Sequence, residues 1–155
     1  MASSTFGQRS LDDVLRLYNS QSVPYISVEE LKMRQIHETI VVLDTREWKE
    51  FEVSHIPDAH FVGYSTFSSE EITAVIHDRE TPIVVYCSLG VRSEVIGEKL
   101  KKVGFTNVHN LYGGIFEWKN HEYVVLDQDG NATENVHIAS NAWGKWLHKG
   151  IKVNN

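Results

Sequence analysis

The chain has 155 residues, 41% of them hydrophobic and 23% charged, with a net charge of −6 at neutral pH. That composition fits one globular domain with a sizeable core. The acidity argues against nucleic acid or an anionic membrane surface as partner, and no apolar run is long enough to span a bilayer. Cys87 is the single cysteine, so no internal disulfide can form and a reducing compartment is favoured.

The opening residues Met1-Ala2-Ser3-Ser4-Thr5-Phe6 lack the basic and then apolar order of a secretory signal, so a cytoplasmic location is expected. The sequon Asn131-Ala132-Thr133 is accordingly read as chance. Leu11 to Tyr18 reads as a short amphipathic helix with Ser10 as N-cap. Ser27-Val28-Glu29-Glu30 resembles a capping box opening a second helix toward Ile36. Ile40 to Leu43 is a continuous apolar run, as expected of a strand buried on both faces. Asp44-Thr45-Arg46-Glu47 has capping-box spacing before Trp48 to Phe51. A short strand is expected within Ile56 to Val62, and a helix over Ser68 to Ile76.

The chain's most informative stretch follows. Pro82-Ile83-Val84-Val85-Tyr86 reads as a buried central strand, Cys87 ends it, and a strong helix pattern runs from Arg92 to Val103. Ile96, Leu100 and Val103 share one face of that helix. Glu94 and Glu98 come early and Lys99, Lys101 and Lys102 late, matching the helix dipole, and Gly104 is a natural stop. A lone thiol is thus expected where a strand ends and a helix begins. Backbone N–H groups at a helix N-terminus stabilise anions, a thiolate included. Gly90 can take a positive φ, which lets successive N–H groups turn inward into a nest. Arg92 adds a permanent cation with a planar fork of donors, and Ser88 and Ser93 add small hydroxyls. A free cysteine is often an inert, buried small hydrophobe. Here the glycine and arginine close behind it favour a nucleophile.

Further along, Asn107 to Leu111 reads as a strand and Gly114 to Lys119 as a helix. Val124-Val125-Leu126 reads as another strand, with Asp127-Gln128-Asp129-Gly130 as a turn. Ser140 to His148 is expected to be a capped helix whose Trp143 and Trp146 pack the tail onto the domain, with a partner-binding anchor as the less favoured reading. Strands alternating with helices imply an α/β fold with a parallel sheet covered on both faces and sites at the strands' carboxyl ends. Asp44 and Cys87 both fall at such ends and are therefore expected to converge.

Four pieces occur together: Val41-Val42-Leu43-Asp44-Thr45-Arg46-Glu47; His55-Ile56-Pro57-Asp58-Ala59; Ile83 to Cys87 with Gly90 and Arg92-Ser93; and Gly104-Phe105 to Leu111-Tyr112-Gly113-Gly114-Ile115 with Trp118. In order and spacing they resemble a single rhodanese domain, the sulfurtransferase fold, over roughly Val23 to Tyr123. The resemblance implies a central parallel five-stranded sheet with helices on both faces. Residues 1–22 are then an N-terminal helical extension, 23–123 the domain, and 124–155 a C-terminal extension packing on it. No length remains for a second such unit.

The resemblance further implies sulfur transfer without a cofactor. Cys87 attacks the outer sulfur of a small anionic donor such as thiosulfate and carries a persulfide, which a thiol or cyanide acceptor removes. Ser88, Leu89, Gly90, Val91, Arg92 and Ser93 would bind donor and persulfide, with Arg92 on the anion. Asp44 and Arg46, from the family's Asp-x-Arg motif, would order the loop; for Asp44 helix capping is a compatible reading, and for Arg46 the site role is favoured over an ordinary surface ion pair. The negative protein field predicts modest affinity for a dianionic donor.

The fold-related cysteine phosphatases have a loop one residue longer than the four residues, Ser88 to Val91, found here between Cys87 and Arg92, so phosphatase chemistry is disfavoured. The other alternative is a non-catalytic or redox-sensing module that binds a partner; with a single cysteine, sensing through an internal disulfide is excluded. Eight histidines show neither HxH nor HExxH spacing, so no metal site is expected, and no Gly-x-Ser-x-Gly elbow supports a serine triad.

Overall fold

A computed structural model describes residues 10–155; the first part of the expected N-terminal extension, with the residues read for a secretory signal, lies outside the described residues. In chain order the elements are α1 (Leu11–Tyr18), β1 (Tyr25–Ile26), α2 (Val28–His37), β2 (Val41–Asp44), α3 (Trp48–Val53), β3 (His60–Phe61), α4 (Ser69–Val75) and β4 (Ile83–Tyr86). Then come α5 (Val91–Lys102), β5 (Val108–Leu111), α6 (Gly114–Asn120), β6 (Val125–Leu126), β7 (Ala132–Thr133), β8 (Asn135–His137), α7 (Asn141–Gly144) and β9 (Ile151–Val153). Five strands form one sheet in the order β1-β5-β4-β2-β3, every neighbouring pair parallel. The expected α/β class and the five-stranded parallel sheet are both present.

β4 is the central strand, and all four of its side chains are buried. Alternate residues face opposite ways, as the pleat requires. Val84 and Tyr86 join Leu31, Ile115, Phe116 and Trp118 in one core, while Ile83 and Val85 join Ile72, Ile96, Leu100 and Phe105 in the other. A sheet buried on both faces explains why the strand reads as a continuous apolar run. The register pairs Asp44 with Tyr86, so the carboxyl ends of β2 and β4 meet one residue before Cys87.

Local signals account for most boundaries. Ser10 accepts from the Asp13 N–H at 3.1 Å and Asp13 returns the bond to Ser10, closing a capping box on α1. Ser27 caps α2 through the Glu30 N–H, and the reciprocal bond expected of a box is not made. α3 departs further from expectation. Asp44 does not cap it; Glu47 is the N-cap residue, and its N–H donates to the Glu50 carboxylate at 3.0 Å. Asp44 is instead the last residue of β2, and Ile40 precedes the strand. The strand expected within Ile56–Val62 shrinks to His60–Phe61, because Ile56 to Ala59 make a turn with Asp58 at φ 67°.

The tail also differs. In place of one helix from Ser140 to His148, α7 ends at Gly144. There the chain tightens to i→i+3 bonds, from Trp146 to Trp143 and from Leu147 to Gly144. Asn120 Oδ1 then captures the N–H groups of His148 and Lys149 at 2.7 and 3.2 Å, turning the backbone away. Trp143 and Trp146 still pack against the core that contains Leu147 and Ile138.

Candidate active site

Cys87 lies in the short loop between β4 and α5 and is 2% exposed. Its Sγ accepts the Gly90 N–H at 3.2 Å, and Ser93 Oγ stands 3.5 Å away. The geometry depends on Gly90, whose φ of 128° is closed to ordinary side chains. Gly90 is also the residue that opens α5, so the sulfur faces the head of a twelve-residue helix. Val91, expected in the loop, is the first residue of that helix, and Arg92 and Ser93 follow in its first turn.

Neighbouring elements hold the loop from behind. The Gly90 carbonyl accepts from Asn19 Nδ2 and Asn110 Nδ2, both at 2.9 Å. The N–H groups of Ile115 and Phe116, at the start of α6, donate to the carbonyls of Cys87 and Ser88 at 3.0 and 3.2 Å. Gly114 permits that approach: a Cβ there would collide with both carbonyl oxygens. Ser93 Oγ donates to Asn110 Oδ1 at 2.6 Å, which leaves its lone pairs toward the thiol.

Arg92 is engaged differently from the expectation. Its Nη1 and Nη2 donate to Glu50 Oε2 and Oε1 at 2.8 and 2.9 Å, and Nη2 also reaches Ser88 Oγ at 3.1 Å. Glu50 is 2% exposed, so this is a bidentate pair with one end buried and the other a quarter open. Burial alone would raise the Glu50 pKa; the bonds and charge of Arg92, with Arg46 farther off, overcome it and bring it down to about 2. Burial likewise works to lower the Arg92 pKa, and the Glu50 bonds with the nearby Cys87 push it upward overall. The cation expected to hold a donor is therefore already matched by a carboxylate.

Asp44 and Arg46 do converge with the loop, as a buried pair in its foundation. Both are fully buried. Arg46 Nε and Nη2 donate to the Asp44 carboxylate at 3.0 and 2.7 Å, and Nη2 also donates to the Ser54 carbonyl at 2.6 Å. The Tyr86 hydroxyl donates to Asp44 at 2.6 Å and accepts from the Ile56 N–H at 3.1 Å. Burial and the Asp44 charge push the Tyr86 pKa well above its usual value, so the phenol stays a donor. The surface ion-pair reading of Arg46 is thus corrected, and the capping reading of Asp44 with it.

Glu50, Asn19, Asn110 and Trp143 were not singled out as site residues from the sequence. Glu50 had a signal in its place three residues after Glu47; Asn110 had one as a polar residue inside an otherwise strand-like run, where Asn is disfavoured. Asn19 and Trp143 had none, because only the fold brings them near. A cavity of about 90 Å³ opens over the sulfur, lined by Cys87, Ser88, Leu89, Val91, Arg92 and Trp143. Among the described residues, no group of His, Cys, Asp and Glu is placed to hold a metal ion.

Comparison with known proteins gives a consistent result. Residues 27–121 match the family model described as a rhodanese-like domain. YrkF of Bacillus subtilis, which carries a sulfur-carrier name, is 34% identical over 101 residues, covering 64% of this chain and 53% of the relative. The tRNA uridine(34) hydroxylase of Sodalis glossinidius is 32% identical over 98 residues, covering 61% of this chain and 28% of the enzyme. The thiosulfate sulfurtransferase GlpE of Coxiella burnetii is 33% identical over 82 residues, covering 53% of this chain and 74% of that enzyme. The match thus spans about half the length of YrkF and under a third of the hydroxylase. Among solved structures, a thiosulfate sulfurtransferase from Pseudomonas aeruginosa superimposes with a TM-score of 0.63 at 21% identity, over 72% of this chain and 21% of that one, a likeness of fold.

Proposed function

Because this chain belongs to the family of rhodanese-like domains, we propose that it is a sulfurtransferase that works through a persulfide on Cys87. One observation carries the reading: the Gly90 N–H points at Cys87 Sγ from 3.2 Å, at the head of α5. A donor fixed toward the sulfur before reaction stabilises the anionic thiolate and the anionic persulfide with little reorganisation. The Cys87 thiolate attacks the outer sulfur of a donor such as thiosulfate. That sulfur's bond to the donor breaks, and sulfite departs with the electron pair. A thiol or cyanide then attacks the outer sulfur of the persulfide, and the Cys87 thiolate is released. No cofactor enters either step. The loop residues Ser88 to Ser93 surround the transferred sulfur, and the Asp44–Arg46 pair keeps the end of β2 in place beneath them. In this reading residues 23–123 form the catalytic domain, residues 124–155 an extension packed on it, and the cytoplasm keeps the thiol reduced.

The loop favours this chemistry over phosphoryl transfer, since four residues between Cys87 and Arg92 make a tight cradle suited to one sulfur atom. Incubation with thiosulfate should add one sulfur to the intact chain, visible by mass spectrometry and localised to Cys87. Cys87→Ser should fold, take up no sulfur and transfer none to cyanide. Substantial transfer by folded Cys87→Ser, or aryl phosphate hydrolysis by the native protein faster than its sulfur transfer, would sink the assignment.

A further inference from the structure

Trp143 lies outside the segment that matches the family, yet it lines the cavity over Cys87. Ser140 sets its place, accepting the Trp143 N–H at 3.3 Å and opening α7. The same residue lines a second cavity of about 300 Å³ between α1 and α7, with Val14, Leu17, Tyr18, Lys145 and Trp146. The rings of Tyr18 and Trp143 stand 5.8 Å apart, tilted at 60°. Leu17 and Tyr18 are each about 60% exposed there, so a largely apolar trough lies beside the Cys87 cavity and shares Trp143 with it.

We propose that this trough is the subsite for the body of the sulfur acceptor, and that Trp143 selects thiols carrying an aromatic or flat apolar group. The proposal rests on the sulfur-transfer reading of Cys87. Its first support is size. The cavity over the sulfur holds about 90 Å³, well below the ~300–1,000 Å³ of pockets that enclose a whole small molecule. Only the reacting end of an acceptor enters; the rest lies outside, where the trough beyond Trp143 offers the exposed side chains of Tyr18 and Leu17. Its second support is charge. Arg92 is the cation lining the inner cavity, and both of its Nη groups are taken by Glu50. The inner cavity therefore offers little net charge, and the trough adds one cation, Lys145, whose Nζ sits over the Trp146 ring at 5.5 Å, beside a large aromatic face. An aromatic body gains both apolar burial and an edge or offset contact with the indole. In the transfer step the acceptor loses its thiol proton to solvent, and its sulfur bonds to the outer persulfide sulfur. The bond to Cys87 breaks, and its electron pair returns to the Cys87 thiolate.

Two readouts test this on the full chain. The first needs no sulfur transfer: alkylation of Cys87 by N-benzyl iodoacetamide and by iodoacetamide, each forming a sulfur–carbon bond and releasing iodide. Relative to a small free thiol, wild type should favour the benzyl reagent by about tenfold, in keeping with one aromatic contact plus ring burial. Trp143→Ala, and separately Leu17→Glu at an exposed position, should each bring that ratio to within about twofold of the free thiol. The second readout is discharge of persulfide-loaded protein to phenylmethanethiol and to 2-mercaptoethanol, with the same shift in ratio expected. A wild-type ratio equal to the free thiol's, or a ratio unmoved by both substitutions, overturns the proposal. If benzyl preference persists but neither thiosulfate nor polysulfide loads sulfur onto Cys87, the acceptor assignment falls with the sulfur-transfer reading. If sulfur loads and the preference is missing, the subsite alone is wrong.

Discussion

Replacing Glu50 by Gln separates what holds the active loop from what its cation is free to do. The carboxylate is buried and makes two charge-assisted bonds to Arg92 at 2.8 and 2.9 Å. Gln keeps the shape and one acceptor oxygen, so the loss is the ionic part of a half-buried pair, about 1.5–3 kcal/mol. Titration gives an independent size. The Glu50 pKa falls from the ordinary 4.5 to about 2, which corresponds to about 3 kcal/mol of folding free energy. The folded pKa lies below the unfolded one, so this contribution is complete above pH 4.5 and is lost as pH falls through about 2. Urea melts at pH 7 should therefore find Glu50→Gln about 2–3 kcal/mol less stable than wild type. The gap should close steadily as both proteins are acidified from about pH 5 toward pH 2. Kinetics should move the opposite way. Removing one negative charge ~7 Å from a donor, at an effective dielectric near ~20, is worth roughly 2 kcal/mol per unit of donor charge before salt screening. With Arg92 released from its counter-ion, the KM for dianionic thiosulfate should fall at least about tenfold. A stability gap of the same size at pH 7 and pH 3, or a KM for thiosulfate that rises, refutes the reasoning.

Two further substitutions probe the supports of the loop. Asp44→Asn strips the carboxylate from a fully buried Arg46 and should cost about 3–5 kcal/mol, read as a large drop in melting temperature or loss of folded protein. Gly114→Ala drives a methyl group into the carbonyls of Cys87 and Ser88 at a φ of 57°. It should lower stability by about 1–3 kcal/mol and slow Cys87 alkylation measurably, whereas a Cys87 reactivity and melt equal to wild type would show that α6 does not set the loop.

Apolar pattern made the sheet legible in the sequence. Ile83 to Tyr86 and the Ile96, Leu100 and Val103 face fall where their periodicities put them, because burial on both sides of a sheet leaves little latitude. The loop after β4 was legible because Cys87, Gly90 and Arg92 lie within six residues, so their geometry is decided by one strand end and one helix start. Long-range partners were not. Glu50 meets Arg92 across 42 positions, and Asn19 meets Gly90 across 71. No local pattern encodes either meeting. Asp44 misled for a related reason. Its spacing to Glu47 satisfies a capping rule, but the demand of a buried guanidinium and a buried phenol for one carboxylate outweighs a cap worth about 1 kcal/mol.

Charge then decides how the site can work. With Arg92 matched by Glu50, the attraction left for an anionic sulfur comes from backbone, from the Gly90 N–H and the head of α5. A dipole of that kind acts within a few ångströms, so it stabilises a charge on Cys87 Sγ far better than it gathers a donor from solution. Recruitment must come from surfaces around the mouth. Two of those surfaces, α1 and α7, lie outside residues 27–121, and they meet at Tyr18 and Trp143. The N-terminal side is also tied to α5: Glu94 accepts the N–H groups of Ser20 and Gln21 at 2.7 and 3.1 Å, and Asn19 reaches the Gly90 carbonyl. The segment that follows α1 is thus hydrogen-bonded to both α5 and Gly90 itself. In the sulfur-transfer reading proposed above, residues 27–121 carry Cys87, and the outer faces of α1 and α7, at the exposed Leu17 and Tyr18 and the half-buried Trp143, are where selectivity between acceptors is set.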